Sequence, residues 1–572
     1  MKHKNQDSDR DRRQEGAPEA APTQAPHPFG LSRRSFLTAA GGLAGGLAAV
    51  GALSACAPAE QKPTTSPGGA TTSSAKDWLG TPPAITPAQC VETIKTDVVV
   101  VGSALAGVLS AYAALKNGAE VVMIERNGAP HISGSGIGFF NSRFQQEAGQ
   151  PLHDEQAVMS AVINEGNLRV DASLVTLWAY HSGEILDELE ENVLQPANLP
   201  GNIMFGEPLH SSDLDQYITS FHVDFDPDGK DSLEKFVFTF HDWIMSNGGS
   251  IAFDTCARLL TQDEAGRVNG LIATNESGDY VYYQASKAVI MCAGSYGGNT
   301  DMVDHFCYPT MANFIKNYNS YNAKASDSAP VTTDETMDDG TGHKMMVWAG
   351  AIMEEIDPSY QAWSIDAYSF AAPLAVDQQG RRFFNECYSS LSTSFPIFEL
   401  PSQANYVWQI LGSDSFNMPP LLPIPGMTRE IMDMIASGSE HYEADTIAEL
   451  AQLIDVDPDT LVATVERYNE LCRAGKDDDF GKAPWHLNPV DTPPYKAFKE
   501  NYFFYGMSSG VKVNNKLQVV DKDWKAIPGL YAAGNCVGWR MGSGYQNVVP
   551  GLCNAYAACH GYFAGKNAAL DA

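Results

Sequence analysis

Positive charge is scarce in this chain. Against 69 Asp and Glu residues it has only 37 Lys and Arg in a length of 572, a net charge of −32. A surface of that sign repels phosphate backbones and anionic headgroups, which argues against nucleic acid as a partner. Cysteine is sparse too: of the ten, none stands in a Cys-x-x-Cys-His arrangement, so no covalent c-type haem is carried on this chain. There is no zinc-type cysteine cluster and no close paired spacing, so neither a metal site nor a disulfide framework is implied. Cys292, Cys553 and Cys559 lie in apolar sequence surroundings and read as buried, unreactive thiols. Core material, by contrast, is plentiful. With 44% hydrophobic residues, 10% aromatic residues and 50 glycines, wholesale disorder is excluded. The length exceeds what one hydrophobic core serves and predicts two or more domains.

Residues 1–55 read as a targeting segment and stand outside the fold. A basic region ends in Ser32-Arg33-Arg34-Ser35-Phe36-Leu37, followed by an apolar Gly/Ala-rich run closing in Leu53-Ser54-Ala55-Cys56. The layout resembles a twin-arginine signal peptide with a lipobox, making Cys56 the lipid-bearing first residue of the exported chain. A run so rich in Gly and Ala is weakly hydrophobic for a transmembrane anchor. The expectation is export across the cytoplasmic membrane and a lipid anchor at its outer face. Residues 56–95 then supply the anchor cysteine and a flexible linker rich in Pro, Thr and Ser.

Thr96 to Val101 is a β-branched run that suits a buried parallel strand, and it leads into Gly102-Ser103-Ala104-Leu105-Ala106-Gly107. A helix is predicted from Val108 to Asn117, closed by Gly118, and a second strand over Glu120–Glu125 ends in an acid. This order is a βαβ unit with a dinucleotide-binding turn. Gly102, Ala104, Ala106 and Gly107 bring backbone close to a pyrophosphate at the helix N-terminus, and Glu125 is placed for a ribose hydroxyl. Ala104 stands where the second fingerprint glycine is usual. An ordinary βαβ unit without ligand is the plainer reading, and the ordered set of features outweighs it.

Two later strands also run into glycine turns, Lys287–Asn299 containing Gly294, and Gly529-Leu530-Tyr531-Ala532-Ala533-Gly534-Asn535. Together with the first motif they resemble the fumarate reductase/succinate dehydrogenase flavoprotein family, which also contains the 3-ketosteroid dehydrogenases. The resemblance implies FAD as cofactor, with Gly294, Gly534 and Asn535 contacting it and Ser133, Gly134 and Gly138 approaching the flavin. Asp339-Gly340-Thr341-Gly342-His343 is similar to the family's glycine turn and helix, and Gly380-Arg381-Arg382-Phe383-Phe384-Asn385-Glu386 to its cap signature. The implied fold is α/β: a Rossmann-like FAD-binding domain (96–350 and 502–572) with an inserted α+β capping domain (351–501).

The same resemblance sets out which substrate groups are missing. At positions where fumarate reductases carry cationic or ionisable clamps, this chain has Ala362, Ser390, Tyr505 and Val548, and Ser369 replaces a relay arginine beside Asp366. A desolvated dicarboxylate without a cationic partner binds badly. The expected reaction is therefore reduction of an activated C=C bond in a neutral or aromatic enone-type substrate. Tyr505, Tyr545 and Tyr388 are the candidate proton donors, with Asp366 as a relay acid. Pro550-Gly551 resembles the ketosteroid branch, in which a glycine N–H holds the substrate carbonyl, and Gly551 is also placed against FAD. Electrons must enter from an external donor such as a membrane quinol-linked cytochrome. The rivals are a desaturating dehydrogenase of the ketosteroid type and a flavin electron carrier without substrate chemistry.

Overall fold

Four consecutive valines, Val98 to Val101, are buried, and the main sheet extends to both sides of their strand. In this computed structural model the described residues are 77–130, 132, 136–199, 201–208, 217–223, 232–316, 338–355, 360–364, 373–386, 406–414, 440–544, 546, 549 and 551–571. The targeting segment and the N-terminal part of the linker lie outside them.

The valines belong to β1 (Glu92–Val101), which the chain leaves through the glycine turn to enter α1 (Leu105–Lys116) and β2 (Val121–Ile124). β1 and β2 pair in parallel, Val98 opposite Val121 and Val101 opposite Ile124. α1 is buried almost all round, from Leu105 to Ala114. Such a helix is covered on both faces. It ends where Gly118 takes a left-handed φ of 81°, open to glycine without steric cost.

The chain continues through α2 (Glu155–Glu165), α3 (Ala172–Leu189), a hairpin of β3 (Gly201–Pro208) with β4 (Tyr217–Val223), and α4 (Ser232–Ser246). It then returns to the sheet as β5 (Ser250–Ala252), β6 (Cys256–Gln262), β7 (Val268–Thr274) and β8 (Tyr280–Met291). β5 joins β2 in parallel, β8 joins β1 in parallel, and β6 and β7 attach as an antiparallel flap on β8.

After α5 (Thr341–Trp348) a second, antiparallel sheet forms from β9 (Tyr360–Ser364), β10 (Leu374–Val376), β11 (Tyr406–Leu411) and β12 (His441–Ala444). It is backed by α6 (Ile447–Leu453) and α7 (Pro458–Ala474) and completed by β13 (Tyr495–Met507). This unit has its own core, with Leu374, Val376, Trp408, Ile410, Leu461 and Val465 among its members. β13 pairs with β11 and β12 through its first half and with β9 from Tyr502 onward, so one strand serves both sides of residue 501. In the cap signature, Arg382 pairs with Glu386 and Asp477, each at 2.7 Å. Lys482 joins the same buried group, 2.8 Å from the Tyr468 hydroxyl. That part of the motif ties two segments of the smaller unit together.

The chain comes back to the main sheet with β14 (Gln518–Val520) and β15 (Ala526–Ala532), the latter parallel to β8, and ends in α8 (Leu552–Leu570). The sheet order is β14-β15-β8-β1-β2-β5. The result is a mixed α/β fold, a largely parallel sheet with a separate antiparallel one, as the sequence implied. No described helix is long and apolar enough to cross a membrane.

Candidate cofactor and substrate site

The turn after β1 is shaped for close approach of a ligand. Gly102 has φ 95°, and a Cβ there would lie 2.3 Å from the Cys292 carbonyl oxygen. A Cβ on Gly107 would lie 1.9 Å from the Gly102 oxygen, so both glycines are required by contact. Ala104 is the N-cap of α1 and offers no side-chain hydrogen bond to it. The first N–H groups of the helix, with the positive end of its dipole, are left for an anion. Helix formation begins at Leu105, earlier than the expected Val108, which places Ala106 and Gly107 inside the first turn.

Glu125 stands directly after β2 and is buried. Its Oε2 accepts hydrogen bonds from the Ser103 N–H at 3.0 Å and the Ser103 hydroxyl at 3.1 Å, and Oε1 accepts from the Asn127 N–H at 3.3 Å. The carboxylate is thereby fixed against the glycine turn. His241 on α4 donates from Nε2 to the Ser103 carbonyl at 2.8 Å, and burial lowers its proton affinity. Arg126 donates to Asp339 at 2.8 Å, and Asp339 also accepts from the Thr341 N–H at the start of α5. Burial would raise the Asp339 carboxyl, but Arg126 and Thr341 outweigh it and hold it below the usual range.

The C-terminal segments close on this turn from the other side. Gly534, φ 71°, faces the Ala106 methyl, where an added Cβ would stand 3.0 Å away. Beside it the Cys536 thiol accepts from the Ala293 N–H at 3.1 Å and donates to the Gly294 carbonyl at 3.4 Å, joining the two later motifs. α8 crosses α1 at contacts that admit no side chain: Cβ atoms on Gly561 and Gly565 would lie 2.3 Å from the Ala106 oxygen and 2.0 Å from the Ser110 oxygen. Gly551 is the N-cap of α8 with φ 74° and no side-chain cap. Its carbonyl accepts from the Gly138 N–H at 3.0 Å, while its own N–H makes no hydrogen bond among the described residues.

Gly102, Ala104, Ala106 and Gly107 thus lie at the turn from β1 into α1, and Glu125 is bonded to Ser103 within it. Gly534 faces Ala106, Cys536 joins Gly294 to the same segment, Asn535 lies between Gly534 and Cys536, and Gly138 pairs with Gly551. The open turn fits the pyrophosphate of a dinucleotide. Ser133, Gly134, Tyr388, Asp366 and Tyr545 lie outside the described residues, as do Ser369, Ser390 and Val548. Tyr505 is on β13 at a register shift between Phe504, opposite Ala362, and Gly506, opposite Gln361. The backbone therefore brings the Tyr505 and Ala362 positions together. Bulges of this kind are common beside active sites.

Several buried polar groups escaped the sequence reading. Arg540 is fully buried. It donates from Nη1 to the Cys553 sulfur at 3.4 Å and from Nη2 to the Asn535 side-chain oxygen. The surroundings of Cys553 are therefore not wholly apolar, a correction that nothing in its neighbouring sequence announces. Cys292 and Cys559 are buried, and burial pushes both thiols up, as expected. Burial also pushes the Glu354 carboxyl up to about 8, against the pull of the Trp539 N–H, Arg540 and Lys512. Lys512 itself pairs with Asp171, the N-cap of α3. His343 on α5 is fully buried against the Tyr296 ring, and burial pushes it down to about 4. No spacing rule joins these positions, because the contacts exist only in the folded chain.

The sequence pattern of the family described as FAD binding domain matches residues 97–548. Over 499 residues the chain is 24% identical to the vinyl phenol reductase of Lactiplantibacillus plantarum, spanning 83% of this chain and 96% of that protein. Over 491 residues it is 25% identical to a probable fumarate reductase of Shewanella frigidimarina, spanning 83% and 75%. Among solved structures it resembles the 3-ketosteroid-Δ4-(5α)-dehydrogenase of Rhodococcus jostii RHA1, with a TM-score of 0.67 and 18% identity over 83% of this chain and 97% of that one. That last likeness concerns the fold.

Proposed function

The chain belongs to the FAD binding domain family, as an FAD-dependent oxidoreductase acting on CH–CH bonds, and within that class we propose that it reduces an activated C=C bond in a neutral or aromatic enone-type substrate. Bound FAD supplies the hydride. The chain's own residues hold the cofactor, exclude water and deliver a proton. Gly102, the open first turn of α1 and Glu125 hold the dinucleotide. The Gly551 N–H, at the positive end of α8, is a donor for an oxygen that gains negative charge as the bond is reduced. A tyrosine, Tyr505 before Tyr545 and Tyr388, gives the proton.

The observation that carries this reading is the absence of a cation at Ala362, Ser390 and Val548, where the family resemblance expects clamp residues for a dicarboxylate. Similarity to a vinyl phenol reductase supports a neutral aromatic substrate. The twin-arginine pattern and Cys56 support export and a lipid anchor. An enzyme so placed serves as a terminal reductase in anaerobic respiration. The acidity of the chain suits a basic, membrane quinol-linked cytochrome as electron donor.

The test is to reduce the purified protein with dithionite without oxygen and follow flavin reoxidation by enones, vinyl phenols, cinnamates, steroids and fumarate. Fast, saturable reoxidation by a neutral unsaturated compound is expected, with fumarate slow or inert. Rapid turnover of fumarate alone would overturn the substrate class.

A further inference from the structure

Arg540 belongs to none of the cofactor motifs, yet it is one of the largest fully buried side chains in the molecule. Among the described residues Nε donates to the Val537 carbonyl at 3.2 Å, Nη1 to the Cys553 sulfur at 3.4 Å, and Nη2 to the Asn535 amide oxygen. Among the described residues no carboxylate forms a salt bridge with it. The titratable groups that feel its charge are Glu354, Cys536, Tyr556 and His560. Burial favours the neutral form of each. A buried cation without a counter-charge is costly to hold.

Its neighbours are those of the cofactor cradle. Asn535 follows Gly534, which faces Ala106 in the first turn of α1. Cys553 lies in the first turn of α8, and the helix start at Gly551 adds a partial positive charge and an N–H that makes no hydrogen bond among the described residues. Arg540 and the start of α8 bring positive charge to this part of the cradle, which is complementary to an anion.

We propose that Arg540 is the counter-cation of the reduced flavin, a positioning residue that acts through Asn535 and the first turn of α8 to stabilise the negative charge FAD acquires, and so sets its reduction potential. The step balances as two electrons from the external donor and one proton from solvent, giving the singly protonated, anionic reduced ring. The proposal rests on the FAD assignment and is independent of the substrate.

The experiment is an anaerobic dye-equilibration measurement of the flavin potential in wild-type protein, Arg540→Met and Arg540→Lys, between pH 6 and 8. Arg540→Met should shift the equilibrium toward oxidised flavin at least tenfold, which for a two-electron couple is a fall of about 30 mV or more. Arg540→Lys, which keeps the charge, should recover most of that shift. Wild-type potential should change by about 30 mV per pH unit, one proton for two electrons, and the Met variant should steepen toward about 59 mV as a second proton is taken. A Met variant with wild-type potential and slope would overturn the proposal. So would a wild-type slope near 59 mV, which requires no variant to fold. Wild-type protein without FAD would instead overturn the cofactor assignment on which the proposal rests.

Discussion

Glu125 is the residue on which the cradle depends most directly. One oxygen of its carboxylate fixes Ser103 in the glycine turn, and the proposed reading gives the group a ribose hydroxyl as well. Glu125→Ala removes an ionised acceptor, and hydrogen bonds to charged groups contribute about 1.5–3 kcal/mol. FAD affinity should fall roughly 10- to 100-fold, while Ser103→Ala, which leaves the Ser103 N–H bond intact, should cost less. Recovery of free-flavin fluorescence on dilution measures both. Retention of FAD by the Glu125→Ala protein at the wild-type level would remove Glu125 from the site. The residue was legible in the sequence because a strand, a turn, a helix and a second strand lead to it at fixed spacing. His241, which holds the same turn through the Ser103 carbonyl, was not. It comes from a helix far along the chain, and only tertiary packing makes the two neighbours.

At the scale of elements, the same contrast holds. β1, α1, β2, β8 and β15 could be read from β-branched runs and glycine turns, because each local signal agrees with the packing around it. The crossing of α8 on α1 could not, although Gly561 and Gly565 were in plain view, since a glycine four residues from another on a helix says nothing about its partner. The structure shows that partner to be the backbone of α1 at Ala106 and Ser110. A methyl at residue 565 would meet the Ser110 carbonyl at 2.0 Å and push the helices apart. Gly565→Ala should therefore destabilise the protein by about 1–3 kcal/mol, the range for overpacking, and, if the turn before α1 holds the phosphates as proposed, loosen FAD as well. Thermal unfolding and flavin content report the two effects separately. An unchanged melting temperature would mean that the helices separate without cost and that their contact does not position the turn.

For the whole molecule, buried titratable groups set the pH range in which the fold is most stable. His343 and His560 are pushed by burial down to about 4 from an ordinary 6.5. Above pH 6.5 neither folded nor unfolded chain holds these protons. As pH falls from 6.5 toward 4 the unfolded chain takes them up first, so stability is lost on the acid side. Asp171 and Asp339, both held below the usual carboxylate range, add to that loss at lower pH. Glu354 acts in the opposite sense, since its folded value of about 8 lies above the ordinary 4.5. Its contribution is fully present below pH 4.5 and is lost as pH rises toward 8, because the unfolded chain ionises while the folded one keeps the proton. Between 4.5 and 6.5 the lowered histidines, His241 among them, outweigh the raised glutamates Glu354 and Glu190, and above 6.5 the glutamates act without them. Melting temperature should accordingly peak at about pH 6.5 and decline toward pH 8. Glu354→Gln, which cannot ionise, should flatten the decline between pH 6.5 and 8 and leave the acid limb as it was. A variant whose alkaline decline matches wild type would show that the lost stability comes from another group.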